Sequence, residues 1–256
     1  MRELNLYPQW VRRNQVAPAA GNPLPAADVQ LAPPVVTEAL TPEAVHLEST
    51  TPKISVDADI LSTLPTSALD GLSWPELKQR VRDCTSCKLR AGCTQTVFGV
   101  GDENADWLFV GEGPGADEDA LGEPFVGQAG KLLDNMLLAI KLKRGNNVYI
   151  ANVVKCRPPG NRAPQADEIS QCLPYLQRQI ELIKPKMIVA LGKVASNALL
   201  GKDATLASLR GKQHDYHGIP LIVTYHPAYL LRSPTEKSKA WQDLCFAVKL
   251  MTDKST

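Results

Sequence analysis

Short apolar runs alternate with amphipathic helical patterns through the second half of the chain, and this alternation leaves few folds open. Apolar runs typical of buried strands begin near residues 107, 148, 187 and 220. Between and after them, apolar residues recur at helical spacing, as at Leu133, Met136 and Leu137. Strands that alternate with helices form parallel sheets covered by helices on both faces. The sequence therefore predicts an α/β fold, in which ligands bind at the carboxyl ends of the strands.

The first 70 residues differ in composition from the rest. Proline recurs from Pro18 to Pro65 too often for a helix or a central strand. Residues 1–70 contain four basic and eight acidic residues, a net charge of −4, whereas residues 71–256 carry +5. We therefore expect a disordered acidic Pro/Ala-rich extension over residues 1–70 and a folded domain over residues 71–256. Ser73 and Glu76 are expected to begin the first helix as a capping box.

Nothing in the chain is expected to enter a membrane. No run approaches the ~18–20 continuous apolar residues that span a bilayer. Residues 1–5 lack the basic start and apolar stretch of a signal peptide. We therefore expect a soluble, cytoplasmic and monomeric protein, in which the six cysteines are more typical of metal binding or redox chemistry than of disulfides. Cys245 is the exception, because it falls on the apolar face of the last predicted helix and is expected in the core.

Four of the cysteines form two half-sites. Cys84 and Cys87 make a C-x2-C pair, and Cys156 and Cys172 follow the second predicted strand, sixteen positions apart. Four thiolates are enough for zinc or for an iron–sulfur cluster, and the spacing leaves both open. Cys93 is either a substitute ligand or a neighbour of the site, and a neighbour is favoured.

A glycine-rich turn follows the first predicted strand. It runs from Gly111 to Gly115 and continues into the acidic residues 117–119. The acidic run and the lack of a following Gly-Lys-Ser/Thr exclude a triphosphate-binding loop. The turn can instead present backbone N–H groups and one carboxylate to a neutral ligand that becomes anionic as it leaves. Phe125, between Pro124 and Val126, is either a core residue or a stacking platform for a flat ring.

Two later segments place polar side chains at strand ends. Asn152 carries the acceptor and donors that bind an amide-like ring edge, and its burial in an apolar strand is costly unless it faces a site. His226, fixed by the proline that follows it, is a candidate donor to a developing oxyanion. The pair Leu230 and Leu231 beside Arg232 is expected to be exposed, and it fits a wedge that enters a DNA groove.

Together these segments resemble the family 4 uracil-DNA glycosylases, within the wider uracil-DNA glycosylase superfamily. The resembling stretches, in the family's order, are Cys84–Cys87, Gly111–Gly115 with Glu118 and Asp119, Pro124–Gly127, Asn152–Pro159 and His226–Arg232. They cover the chain from about residue 75 to residue 251. The resemblance implies a three-layer α/β/α sandwich with a four-stranded parallel sheet. It also implies a [4Fe–4S] cluster held by Cys84, Cys87, Cys156 and Cys172.

The resemblance further implies a DNA repair enzyme acting on uracil-containing DNA. Such an enzyme hydrolyses the N-glycosidic bond of deoxyuridine in single- and double-stranded DNA, releasing uracil and leaving an abasic site. The expected catalytic residues are Glu112 and His226, with Glu118 as the alternative carboxylate. The residues expected to bind the substrate are Gly111, Gly113, Phe125, Asn152, Leu230 and Arg232. Leu230 is expected to fill the stack that the flipped nucleotide vacates.

Three alternatives stay open beside this expectation. A non-catalytic iron–sulfur or zinc module would bind DNA without releasing a base. Some relatives trap uracil-DNA covalently through a His on a loop after the Asn strand, but Pro158–Arg162 holds no His, so turnover is expected. An interaction protein would recruit a repair or replication partner through the extension, whose Leu4–Arg13 stretch is either a docking peptide or a frayed terminus.

Overall fold

The computed structural model describes residues 69–253. The predicted extension, with its Leu4–Arg13 stretch, therefore lies almost entirely outside the described residues. The α-helices are α1 (Trp74–Arg82), α2 (Leu89–Gly92), α3 (Ala116–Leu121), α4 (Gln128–Ala139), α5 (Ala166–Ile183), α6 (Lys193–Leu200), α7 (Leu206–Leu209), α8 (Pro227–Arg232) and α9 (Lys237–Asp253). The strands are β1 (Val100–Gly101), β2 (Trp107–Gly111), β3 (Val148–Asn152), β4 (Met187–Leu191), β5 (Gln213–Tyr216) and β6 (Ile219–Thr224).

The predicted helix and strand positions agree with these bounds to within a few residues. The capping box at α1 is present, since the Ser73 backbone N–H donates to Glu76 Oε2 at 2.8 Å. β4 begins at Met187, as predicted. β3 ends at Asn152, and the next two residues still donate to the chain at the end of β2, Val153 to the Gly111 carbonyl at 3.0 Å and Val154 to the Glu112 carbonyl at 3.1 Å.

Within residues 69–253, six strands form one sheet in the order β1-β3-β2-β4-β6-β5. The inner four strands, β3, β2, β4 and β6, are parallel, as predicted. The expected count of four is wrong because β1 and β5 add an antiparallel strand at each edge. β1 is only two residues long, and β5 has the polar sequence Gln-His-Asp-Tyr, so neither has the apolar run that marks a buried strand.

Two apolar cores cover the two faces of the sheet and make the predicted three-layer α/β/α sandwich. In β2, Leu108 and Val110 face one core, whereas Trp107 and Phe109 face the other. This alternation follows from the two-residue period of a strand. Helices α1, α5 and α6 bury their apolar faces in the first core, and α4, α8 and α9 in the second.

The parallel register brings the ends of β2, β3 and β6 to one edge of the sheet. Gly111, the last residue of β2, lies opposite Asn152, the last residue of β3. β6 ends at Thr224, two residues before His226. The segments that leave these three strands therefore meet at the carboxyl edge, where parallel sheets bind their ligands.

The structure bears on two further expectations, that no segment enters a membrane and that Cys245 is buried. No helix among residues 69–253 is long and apolar enough to cross a membrane. The prediction that Cys245 is buried is wrong, because its side chain is exposed on α9. α9 buries Ala240, Leu244 and Ala247 instead, so the buried stripe passes beside Cys245.

Candidate active site

A cavity of about 390 Å³ opens at the carboxyl edge of the sheet. Its volume lies within the range typical of small-molecule sites, roughly 300–1,000 Å³. Six of the predicted site residues line it: Glu112, Gly113, Phe125, Asn152, His226 and Arg232. The lining also includes Glu118, the alternative carboxylate, and eight residues that were not proposed as site residues, among them Asn161, Arg162, Ala228 and Tyr229. The structure thus brings together side chains from the ends of three parallel strands.

Asn152 presents an amide with an unused acceptor. The residue is 2% exposed, and its Oδ1 is buried without a hydrogen-bond partner in residues 69–253. Its backbone carbonyl accepts a hydrogen bond from Lys155 Nζ at 2.9 Å. Leaving a buried acceptor unpaired costs about 1–3 kcal/mol, a cost that a ligand donor removes.

Gly111 does not line the cavity but makes room for two residues that do. A side chain at this position would overlap the Asn152 amide and the edge of the Phe125 ring. Gly111 is not among the residues that line the cavity, and the expectation that its backbone contacts a ligand stays a prediction. Because Gly111 has no side chain, the Asn152 amide and the Phe125 ring can occupy the space above it.

Phe125 lies in a loop formed by residues 124–127, here called the Phe125 loop. Its backbone is in the left-handed region, with φ at 55°. Its ring is 6% exposed and stacks on the His226 ring, with centroids 5.4 Å apart and planes at 28°. A left-handed Phe costs about 1–3 kcal/mol and persists only where its surroundings hold it.

Charged side chains hold the Phe125 loop from both sides. Arg144 donates to the carbonyl oxygens of Pro124 at 2.8 Å and Phe125 at 2.7 Å, and to Asp134 Oδ1 at 2.9 Å. On the other side, Glu118 Oε1 accepts from the N–H groups of residues 126 and 127, at 2.9 and 3.1 Å. Gly130 packs directly against the loop, where a Cβ would collide with the Phe125 carbonyl.

The two candidate carboxylates differ in what they already bind. Glu118 has both oxygens engaged, since its Oε2 also accepts from the Gly115 N–H at 3.0 Å. Glu112 lies in the cavity wall, where burial raises its pKa above the ordinary value. The geometry therefore leaves Glu112 available for chemistry, whereas Glu118 is committed to the loop.

His226 is neutral at physiological pH. Burial, with a smaller effect of the Arg232 cation, lowers its pKa to about 4. Its Nδ1 accepts a hydrogen bond from the Ala228 backbone N–H at 3.2 Å. A neutral imidazole that accepts at Nδ1 carries its proton on Nε2, so His226 has one N–H donor to offer a ligand.

The adjacent leucines of α8 face in different directions, contrary to expectation. Leu230 is 1% exposed and packs in the core against α4 and α9, so its predicted exposure as a wedge is wrong in this structure. Leu231 is 43% exposed, and Tyr229 is 39% exposed at the cavity mouth. One turn of helix cannot present two successive residues to the same side, and the core takes Leu230.

The four predicted ligand cysteines line one narrow cavity, here called the thiol site, between the segment after α1, the end of β3, and α5. Burial raises the pKa of Cys172 to about 12, with contributions from the Cys87 and Cys84 thiols. Cysteines bind a metal as thiolates, so metal binding by these thiols would release protons. In residues 69–253, no group of three or more His, Cys, Asp or Glu side chains, the four thiols included, is arranged to hold a single metal ion, so only the type and number of ligands around this cavity favour a cluster.

Cys93 lies beside this site without lining its cavity. It is half-buried and interacts with the Cys156 thiol, and its own Sγ is 3.7 Å from Arg90 Nη1. This placement agrees with its expected position as a neighbour of the site.

Sequence reasoning missed three charged residues that organise these sites. Arg144 and Lys155 both donate to backbone carbonyls, a kind of contact that requires no particular residue type in its partner. Arg162 lines the active-site cavity and makes a two-pronged ion pair with the buried Glu168, at 2.7 and 2.8 Å. Of the three, Lys155 is the one that can be recognised in the sequence, because it is a charged residue within the otherwise apolar run that ends at Cys156.

Comparison with known proteins agrees with this fold. Residues 98–245 match the family model described as "Uracil DNA glycosylase superfamily". The chain is 43% identical over 170 residues to a type-4 uracil-DNA glycosylase of Archaeoglobus fulgidus, which covers 63% of this chain and 85% of that protein. It is 45% identical over 159 residues to the type-4 enzyme of Thermotoga maritima, covering 61% and 82%. A type-5 uracil-DNA glycosylase of Pyrobaculum aerophilum is 33% identical over 148 residues, covering 51% and 64%. The chain belongs to the uracil-DNA glycosylase superfamily and, within it, to the type-4 group.

Proposed function

We propose that this chain is a uracil-DNA glycosylase that hydrolyses the N-glycosidic bond of deoxyuridine in single- and double-stranded DNA. It releases uracil and leaves an abasic site, the first step of base excision repair. The observation that carries the proposal is the unpartnered Asn152 Oδ1, buried in a cavity with a neutral His226 and the ring of Phe125. Monomeric state and cytoplasmic location stay predictions.

Asn152 is suited to recognise the edge of uracil. The ring carries an N3–H donor beside carbonyl acceptors, and an Asn amide offers the complementary acceptor and donor. In this proposal, Asn152 Oδ1 accepts from N3–H and Nδ2 donates to O4. Phe125 supports the flat face of the ring, and stacking of this kind contributes roughly 1–3 kcal/mol per base.

Bond breaking leaves opposite charges on the two products, and the site has a group for each. When the C1′–N1 bond breaks, its electron pair moves to uracil and spreads to O2, while the sugar becomes cationic. The His226 Nε2–H donates to O2, and loss of one such donor typically costs about 10²–10³ in rate. Glu112, as the carboxylate, stabilises the sugar cation and orients the water that adds to C1′.

The substrate nucleotide must leave the helix before it reaches this cavity, at a cost of a few kcal/mol that is smaller for mismatches and single strands. Leu231 replaces Leu230 as the side chain proposed to fill the vacated stack, because Leu231 is exposed on α8. Arg232, at the cavity mouth, is proposed to contact a phosphate beside the flipped nucleotide.

We also propose that Cys84, Cys87, Cys156 and Cys172 hold a [4Fe–4S] cluster. Four thiols around one cavity are the ligand set of such a cluster, and the Lys155 backbone N–H donates to Cys172 Sγ at 3.2 Å, as expected for a ligand thiolate. When bound, the cluster supplies a structural crosslink between segments that are distant in sequence. The chain's own contribution is to hold the four sulfurs in place from α5, the end of β3 and the segment after α1.

The activity is tested with an end-labelled oligonucleotide that carries one deoxyuridine, followed by alkaline cleavage of abasic sites. We expect strand cleavage at that position, none with thymidine in its place, and a loss of at least hundredfold in Asn152→Ala. Asn104→Ala, at an exposed turn, is the matched control and retains activity. DNA binding without base release supports the non-catalytic module instead, and an adduct stable to detergent supports a trapping protein.

The cluster is tested by iron and sulfide analysis and by visible absorbance. We expect about four irons per chain in the purified protein. Cys84→Ala should lose them, whereas Cys245→Ala, an exposed cysteine on α9, should retain them. Iron-free, zinc-loaded protein with full activity would contradict the cluster.

A further inference from the structure

Lys155 lies between the thiol site and the active-site cavity. Its side chain is among the largest fully buried ones, at 1% exposure. Its Nζ donates to the Asn152 carbonyl at 2.9 Å and to Gln179 Oε1 at 2.6 Å. The N–H of the same residue donates to Cys172 Sγ at 3.2 Å. One residue therefore contacts both the proposed uracil-recognising residue and a proposed cluster ligand.

The surroundings of the ammonium are arranged for a donor. Gln179 is 0% exposed, and its Nε2 donates to the Phe98 carbonyl at 3.0 Å, which fixes Oε1 toward Lys155. Both acceptors of the ammonium are thus neutral oxygens held by the surrounding structure. The ammonium donates three hydrogens, and these two oxygens accept two of them.

Lys155 lines the cavity of the thiol site together with the four cysteines. No carboxylate in residues 69–253 forms a salt bridge with it, although a buried cation is costly unless an opposite charge is near. Cys172 lines the same cavity, and its Sγ accepts from the Lys155 backbone N–H at 3.2 Å. Four thiolates around an iron–sulfur core leave a net negative charge at this site, which a neighbouring ammonium offsets.

We propose that Lys155 is a positioning residue that couples the thiol site to uracil recognition, balancing the charge of the thiolates while holding the end of β3 where Asn152 binds the base. The inference rests on the proposed cluster and on the proposed role of Asn152. It predicts that loss of the ammonium changes the electronic properties of the cluster and the affinity for uracil together.

The test compares Lys155→Met with the wild-type holoenzyme. Met has a similar length and no charge. Two properties are measured: the reduction potential of the cluster by EPR-monitored titration, and the inhibition constant of free uracil. We expect a more negative potential, because removal of a nearby positive charge disfavours the reduced cluster. We also expect uracil to inhibit about tenfold less tightly, the effect of one hydrogen bond to a charged group, with KM for DNA within about twofold.

Two further variants separate charge from packing. Lys131→Met removes an exposed lysine and should leave both properties unchanged. Gln179→Met removes one acceptor of the ammonium but keeps its charge, so uracil inhibition should weaken by a few-fold while the potential stays near that of the wild type. If Lys155→Met does not fold, unchanged uracil inhibition in Gln179→Met overturns the inference.

The inference also fails if Lys155→Met changes only one of the two properties, or neither. Failure of the proposed cluster is distinguishable, because it appears in the wild type as a lack of iron. Failure of the proposed Asn152 role is likewise separate, since Asn152→Ala would then retain uracil inhibition.

Discussion

Replacing Arg144 with Met removes the three hydrogen bonds that hold the Phe125 loop and its neighbour Asp134. Two of them go to the backbone carbonyls of Pro124 and Phe125, at 2.8 and 2.7 Å. Each hydrogen bond to a charged group stabilises by about 1.5–3 kcal/mol when buried. The Arg144 side chain is 22% exposed, so water replaces part of this and the expected loss of folding stability is about 2–3 kcal/mol.

The effect on activity follows from the conformation that Arg144 maintains. Phe125 is held at φ 55°, and once released its backbone relaxes toward negative φ, which moves the ring away from His226. Loss of the stacking surface costs roughly 1–3 kcal/mol in substrate stabilisation. Because about 1.4 kcal/mol corresponds to a tenfold change, we expect kcat/KM for uracil release to fall about ten- to hundredfold.

The assay measures kcat/KM on a single-stranded deoxyuridine oligonucleotide, with thermal unfolding followed by circular dichroism. Arg178→Met is the matched control, because Arg178 also donates twice to a backbone carbonyl, that of Leu72, and is 17% exposed. It should lose similar stability and keep its activity. Wild-type kcat/KM in Arg144→Met, or an equal loss in Arg178→Met, refutes the argument.

Three more predictions follow from the cavity. Gly111→Ala should reduce uracil release by at least hundredfold, measured by oligonucleotide cleavage, with an unchanged circular dichroism spectrum, because its methyl group overlaps side chains that line the site. The rate of uracil release by the wild type should fall on acidification as Glu112, whose pKa is raised by burial, becomes protonated. This fall at low pH should disappear in the slower Glu112→Gln. His226, with a pKa of about 4, stays neutral above that pH and should not cause the fall. Leu231→Ala should slow release from duplex DNA about tenfold more than from single strands in a paired rate comparison, whereas Leu230→Ala should lower the unfolding temperature by removing a core side chain.

The sequence predicts most of this fold because its inner strands are buried on both faces. Each of the four parallel strands consists almost wholly of apolar residues, and the helices between them keep a clear apolar stripe. The edge strands cannot be predicted in the same way. β5 has exposed polar residues and pairs on one side only, so its place in the sheet is decided by backbone hydrogen bonds that leave no mark in the side-chain pattern.

The candidate site can be predicted where a residue type matches a chemical task, and the prediction fails where packing decides which residue is exposed. Asn152 and His226 can be recognised because burial of a polar side chain at the end of an apolar strand costs free energy unless the side chain has a partner. Leu230 is misjudged because two adjacent leucines look alike until the direction of α8 is known. Arg144 contacts carbonyls about twenty positions earlier in the chain, and a contact with the backbone imposes no recognisable residue type on its partner.

The fixed Phe125 loop has a consequence for how DNA contexts are distinguished. Its left-handed backbone is set by Arg144, Glu118 and Gly130 before any base arrives, so the binding surface need not reorganise around each substrate. If the cavity binds uracil as proposed, it presents the same contacts to every uracil, and rates in different DNA contexts should differ only by the free energy of extracting the nucleotide. Uracil in single strands should therefore be released fastest, uracil opposite guanine next and uracil paired with adenine last, a ranking set by the helix rather than by the enzyme.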